Sequence, residues 1–187
     1  RFCIPGGRSV PGGELALRVT DITKDLDKDT TIIVNCAGRT RSVIGTRVLQ
    51  RMGLTNIFGL KNGTAGWLLA GYDLETGGDR LDLPEPSPGG LAAAETYAAR
   101  LAEEDGVRYL EVDAVQTMLD EREQKTCYFV DVRTTEEYTK GHIPGFRWFP
   151  GGQVVQRSDD VLVVKNCPVV FCCDGRARAT FIASWYR

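Results

Sequence analysis

Short apolar, β-branched runs alternate along this chain with stretches of helical character, and they set its pattern. Residues 31–35 (TIIVN) and 169–172 (VVFC) are too short for amphipathic helices and too apolar for half-exposed strands. They read as buried parallel strands. Each runs into a Gly/Arg-rich loop and then a helical stretch, 42–52 after the first and 179–186 after the second. Residues 127–132 read as a further strand preceded by a helix over 112–122, and 56–60 as a strand followed by a helix near 66–70. Strands alternating with helices predict the α/β class, a parallel sheet flanked by helices. Ligands of such sheets bind at the carboxyl ends of the strands, where both Gly/Arg loops fall. Pro84, Pro86 and Pro88 stand at alternate positions, which opposes helix and favours an extended connection over 83–90. Residues 91–104, rich in Ala and Glu without a clear apolar face, predict a helix on the surface or in a linker.

The chain also repeats itself. The segment from Ile4 to Gly13 (IPGGRSVPGG) and that from Ile143 to Gly152 (IPGFRWFPGG) agree at seven of ten positions, at the offset that separates Ile4 from Ile143. Cys36 and Arg41 find counterparts in Cys173 and Arg178, at an offset two residues shorter. Offsets of this size are the length of one domain. The expectation is therefore a window from a longer tandem protein. Residues 1–83 would be the C-terminal part of one unit, 84–105 a Pro-rich linker and helix, and 106–187 the N-terminal part of the next.

Composition narrows the function classes. The 187 residues are 42% hydrophobic and 26% charged, enough apolar material for a core without disulfide staples. Lys and Arg number 23 against 25 Asp and Glu, so the basic excess of a nucleic-acid binder is absent. The charge is uneven between the halves, but too little to name a partner. No apolar run reaches membrane-span length and no signal-peptide pattern opens the chain, so a soluble cytoplasmic protein is expected, with no membrane partner. The six cysteines include no CxxC pair and His142 is the only histidine, which leaves a Cys/His zinc site without ligands.

The chemistry concentrates in the two loops. Cys36-Ala37-Gly38-Arg39-Thr40-Arg41 lies between a strand and a helix. The helix N-terminus carries partial positive charge and free N–H groups, Arg39 and Arg41 add two cations, and Gly38 lets the loop curl into an anion-binding nest. All three favour the reactive thiolate of Cys36. Cys173-Asp174-Gly175-Arg176-Ala177-Arg178 has the same spacing, with Asp174 subtracting a charge and Cys172 adjoining Cys173. The repeat alignment favours Cys173 as the residue facing the nest. A degenerate, inactive copy is the competing reading of this second loop.

Both parts resemble rhodanese (sulfurtransferase) domains, as found in bacterial proteins with several tandem units. The resemblance rests on the Cys36–Arg41 loop, on Asp131-Val132-Arg133 followed by Glu137-Tyr138, and on Gly141-His142-Ile143-Pro144-Gly145. Asn62-Gly63, Gly66-Trp67 and Gly71-Tyr72 match the end of such a domain, while Phe2-Cys3 departs from the family's Gly-His. The resemblance implies sulfur transfer by double displacement, with Cys36, and Cys173 in the second unit, as nucleophiles that become persulfides. It implies that Gly38, Arg39, Thr40 and Arg41, with Gly175, Arg176 and Arg178 in the second loop, bind a small anionic sulfur donor. Thiosulfate suits so basic a loop better than mercaptopyruvate. The acceptor would be cyanide or a thiol, and no metal or organic cofactor is needed. Asp131, Arg133 and His142 are expected to be structural, and Trp67, Trp148 and Trp185 to pack.

Two other readings compete. Related cell-cycle phosphatases and arsenate reductases use a Cys and Arg with five residues between them. Cys36 and Arg41 have four, while Cys172 and Arg178 have five. The other alternative is a non-catalytic binding or sensor module. The repeat arithmetic further suggests that the two part-domains complement each other, within or between chains.

Overall fold

The apolar runs form parallel strands, but the run 31–35, expected to be buried, is only partly so: Ile33 is 59% exposed, because alternate side chains of a strand point to opposite faces and the core lies on one of them. The computed structural model describes residues 2–77, 83, 85–175 and 177–187, and it divides into two compact units, Arg1–Ala94 and Glu95–Arg187.

The first unit contains β1 (Phe2–Cys3), α1 (Gly12–Thr23), β2 (Ile32–Val34), α2 (Thr40–Arg51), β3 (Ile57–Gly59), α3 (Gly63–Leu69) and β4 (Glu75–Thr76). β2 and β3 pair in parallel, Ile32 opposite Ile57, and β1 and β4 form a separate antiparallel pair. Val19 of α1, Leu49 of α2 and Ile57 form the core, with Leu15, Ile32, Val34 and Leu54 packed against them. α2 stops at Gly53, whose φ of +92° suits glycine, and Leu54 N–H closes the end on the Leu49 carbonyl at 3.2 Å.

α4 (Pro88–Asp105) begins in the first unit and ends in the second. It differs from the expected linker helix in two ways. It starts on Pro88 itself, because an N–H at the first helical position would have no intrahelical acceptor and its loss costs nothing, and the Ser87 hydroxyl receives the Gly90 N–H at 3.0 Å. It also buries a stripe of Ala94, Tyr97, Ala98, Leu101 and Ala102. That stripe has helical spacing but is mostly alanine, so its apolar weight is low. Leu101→Ala is expected to lower the stability of the second unit by about 2–4 kcal/mol in urea denaturation.

The second unit continues with α5 (Val112–Asp120), β5 (Tyr128–Asp131), α6 (Thr135–Lys140), β6 (Arg147–Trp148), α7 (Gly151–Gln156), α8 (Ser158–Val161), β7 (Val169–Cys172) and α9 (Ala177–Ser184). Its parallel sheet runs β6-β5-β7. Phe129 packs with Leu119 of α5 and Phe146, while Val130 and Val132 pack with Val154 of α7 and Ile182 of α9. The period of two along β5 thus sends alternate side chains to opposite layers. α6 carries a capping box that the sequence reading did not use: Thr134 Oγ1 receives the Glu137 N–H, and Glu137 Oε2 receives the Thr134 N–H. Among the described residues no helix is long and apolar enough to cross a membrane.

Candidate active site

β2 ends at Val34 and α2 begins at Thr40, so Cys36 sits where a strand's carboxyl end meets a helix N-terminus. The Gly38 N–H donates to Cys36 Sγ at 3.4 Å, and Ser42 Oγ lies 3.3 Å from the sulfur. In the thiol form the Ser42 hydroxyl also reaches the Arg39 carbonyl at 3.4 Å, and it can turn toward the sulfur once a thiolate forms. Burial pushes the Cys36 thiol up. The Ser42 hydroxyl and backbone hydrogen bonds from Gly38, Ser42 and Arg39 together outweigh burial and bring it from 9.0 to about 7.

The cause of that shift differs from the sequence expectation. Arg39, Thr40 and Arg41 are all exposed at the mouth of the loop, and hydrogen bonds rather than guanidinium charge hold the thiolate. Ser42, third residue of α2 and 4% exposed, is the residue of the candidate site that sequence reasoning missed. Its signal was position: a hydroxyl in the first helical turn, facing a cysteine six residues earlier.

The loop is propped from behind by the start of α3. Thr64 N–H donates to the Cys36 carbonyl at 2.9 Å and Ala65 N–H to that of Ala37 at 3.3 Å. A Cβ on Gly38 would overlap the Asn62 carbonyl, and one on Gly63 would overlap that of Cys36. Both glycines have positive φ, +131° and +49°. Asn62-Gly63 is therefore the surface against which the Cys36 loop is moulded.

The second loop is built differently. Burial leads in pushing the Cys173 thiol up, Asp174 adds to it, and N–H groups of Ala179 and Gly175 with Arg178 oppose without overcoming it. The sulfur touches the Gly175 carbonyl and receives the Ala179 N–H at 3.4 Å. Arg178 is only 2% exposed. Its Nη1 and Nη2 grip Glu137 at 2.9 and 2.6 Å, and Nη2 also meets Asp174 at 2.5 Å. Burial would raise the Glu137 carboxyl, but Arg178 and Thr134 bring it down to about 2. Arg178 is thus tied between two carboxylates rather than held out to a small anion. Gly175 is exposed, and Arg176 lies outside the described residues.

Cys172 is pushed up to about 12 by burial and then by the Asp131 carboxylate. Asp131, fully buried, forms a 2.6 Å ion pair with Arg133, whose Nη2 also reaches the Gly141 carbonyl at 2.8 Å. His142 stacks on Tyr138 at 3.8 Å between ring centroids. Trp148 donates to the Arg133 carbonyl at 3.0 Å. Among the described residues no three His, Cys, Asp or Glu side chains gather to hold a metal.

A model of the rhodanese-like domain matches residues 1–70 and 111–187. The chain belongs to the rhodanese-like family. The break in that match, together with the internal repeat, marks parts of two rhodanese-like repeat units in an α/β fold. A crystal structure of a thiosulfate sulfurtransferase from Pseudomonas aeruginosa is similar at 45% identity and a TM-score of 0.91, covering 99% of this chain and 35% of that one. This chain thus spans about a third of that relative's length. A 3-mercaptopyruvate sulfotransferase from Escherichia coli aligns at 18% identity and a TM-score of 0.35, over 100% of this chain and 78% of that chain, too distant to carry an argument. Comparison with curated proteins found no match.

Within this rhodanese-like chain the two loops share spacing but not electrostatics. Ser42→Ala removes the leading hydrogen bond to the Cys36 sulfur, so the thiol should climb back toward 9.0. At pH 7 the thiolate fraction would then fall from roughly a half to about a tenth or less, and iodoacetamide alkylation of Cys36 would slow about fivefold or more. An unchanged alkylation rate across pH 6–9, roughly the titration range of such a thiol, would show that the backbone N–H groups suffice.

Proposed function

We propose that this rhodanese-like chain is a sulfurtransferase that moves the outer sulfur of thiosulfate, or a similar small anionic donor, to a thiol or cyanide through a persulfide on Cys36. The observation that carries the reading is the Cys36 thiol at about 7, open at a strand's carboxyl end beside two exposed arginines. The 45% identity to a thiosulfate sulfurtransferase supports it.

The steps balance without a cofactor. The Cys36 thiolate attacks the outer sulfur of thiosulfate, the sulfur–sulfur bond to the sulfonate breaks, and its electron pair leaves with sulfite. Cys36 then holds a persulfide anion, which the loop N–H groups stabilise as an oxyanion hole does an oxygen. Arg39 and Arg41 pair with the sulfonate oxygens in the first step. In the second, cyanide or a thiolate attacks the terminal sulfur, the persulfide bond breaks, and Cys36 departs as thiolate. Cyanide leaves as thiocyanate, and a thiol leaves as its own persulfide. Intact-mass spectrometry after thiosulfate should show a gain of one sulfur atom that cyanide removes. A chain that stays unmodified by thiosulfate would sink the proposal.

A further inference from the structure

We propose that Cys127 and Cys167 form a redox-active dithiol, separate from both Cys/Arg loops, which a small linear disulfide oxidises to a covalent bond between the amino ends of β5 and β7.

Strand pairing brings the two cysteines together. Tyr128 lies opposite Val169 in the parallel register, and the Tyr128 N–H donates to the Pro168 carbonyl at 3.0 Å. Cys127 is therefore level with Pro168, one step along the chain from Cys167. Neighbouring strands stand about 4.8 Å apart and successive residues about 3.3 Å, so the two Cα atoms are about 6 Å apart, inside the span that a disulfide bridges. The N–H and C=O of one residue in a parallel strand face the same neighbour. The Tyr128 carbonyl thus faces β7, and Cys127 Sγ lies 3.9 Å from it. The turn that carries Cys167 is itself fastened to β5: Cys167 Sγ donates to the Val164 carbonyl at 3.0 Å, and the Val164 N–H donates to the Tyr128 hydroxyl at 2.9 Å. Burial leads in pushing the Cys127 thiol up, and Cys167 pushes it further, as two sulfurs within electrostatic reach of each other should.

Other neighbouring cysteines of the second unit are not placed to pair in this way. Cys172 and Cys173 adjoin in sequence but pack into opposite layers. Cys172 shares a layer with Cys127, yet it stands opposite Asp131, at the other end of β5 and about 13 Å along the strand.

The order of attack follows from exposure. Cys167 sits between exposed Asn166 and Pro168, whereas Cys127 packs against Leu119, Phe129 and Phe146. The Cys167 thiolate attacks one sulfur of the small disulfide, whose bond breaks and releases a first thiolate. Cys127 then gives its proton to solvent, attacks the Cys167 sulfur of the mixed disulfide and expels the second thiolate. Two cysteine thiols are oxidised and one small disulfide is reduced. The new bond closes a loop that holds α6, β6, α7 and α8.

The test treats the whole chain with oxidised glutathione, caps the remaining thiols with iodoacetamide and maps the peptides without reduction. A peptide linking Cys127 to Cys167 should form, about tenfold or more above any other cysteine pair. Cys127→Ser should stop at a stable mixed disulfide on Cys167. The closed form should shift the urea unfolding equilibrium of the second unit about thirtyfold or more toward the folded state, and dithiothreitol should reverse the shift. Cys36→Ser should close equally well, so this site and the sulfur-transfer reaction stand or fall separately. Mixed disulfides that persist on both cysteines without a linked peptide would overturn the proposal. So would links between two chains that increase with protein concentration, or another pairing in greater yield.

Discussion

Cys36→Ser is expected to end persulfide formation outright and to lower kcat/KM for thiosulfate about a thousandfold or more. A serine hydroxyl ionises far above neutral pH and cannot be brought down by the same few hydrogen bonds, and an oxygen cannot hold sulfane sulfur as a stable carrier. The wild-type rate should follow the thiolate. With the thiol at about 7, kcat/KM should fall about tenfold per pH unit below that value and level off above it. Intact mass with thiosulfate and then cyanide, read on both proteins, decides the matter. A sulfur gain that persists in Cys36→Ser would move the carrier to another cysteine, Cys173 first. A pH profile still rising beyond about 9 would mean that the loop does not activate its thiol.

A large and pH-dependent effect on stability is expected from Glu137→Gln. Glutamine can still serve the capping box with Thr134, so the substitution removes the charge that faces Arg178 while keeping the shape. Arg178 is 2% exposed, and a second carboxylate partner, Asp174, has a side chain 60% exposed. Leaving a buried guanidinium short of its best carboxylate should cost the second unit about 3 kcal/mol, at the low end for a broken buried pair because Asp174 remains. The pH dependence carries the same sign. The folded Glu137 carboxyl at about 2 lies below its ordinary 4.5, so its stabilisation is complete above 4.5 and is lost as pH falls toward 2. Urea denaturation at neutral pH and at about pH 3 should show the wild-type second unit losing stability with acid more steeply than Glu137→Gln. Equal slopes would show that Arg178 draws its support from elsewhere.

Much of this was legible in the chain. Two strand–loop–helix segments at a constant offset identify the repeat and place Cys36 and Cys173, because apolar runs, loop glycines and helix starts are local features whose meaning survives without neighbours. The α4 stripe was present at its proper spacing, but alanine contributes too little apolar weight to announce burial. What only the tertiary structure decided are the facts that depend on distance between groups far apart in sequence or on side-chain direction. Arg39 and Arg41 adjoin Cys36 in sequence yet point to solvent, while Ser42 turns inward and tunes the thiol. Asn62-Gly63 props that loop from the start of α3, and Glu137 claims Arg178 from a different helix. Hydrogen bonds and charges act over a few ångströms in a fixed direction, so two loops with the same Cys-to-Arg spacing bring one thiol down and push the other up.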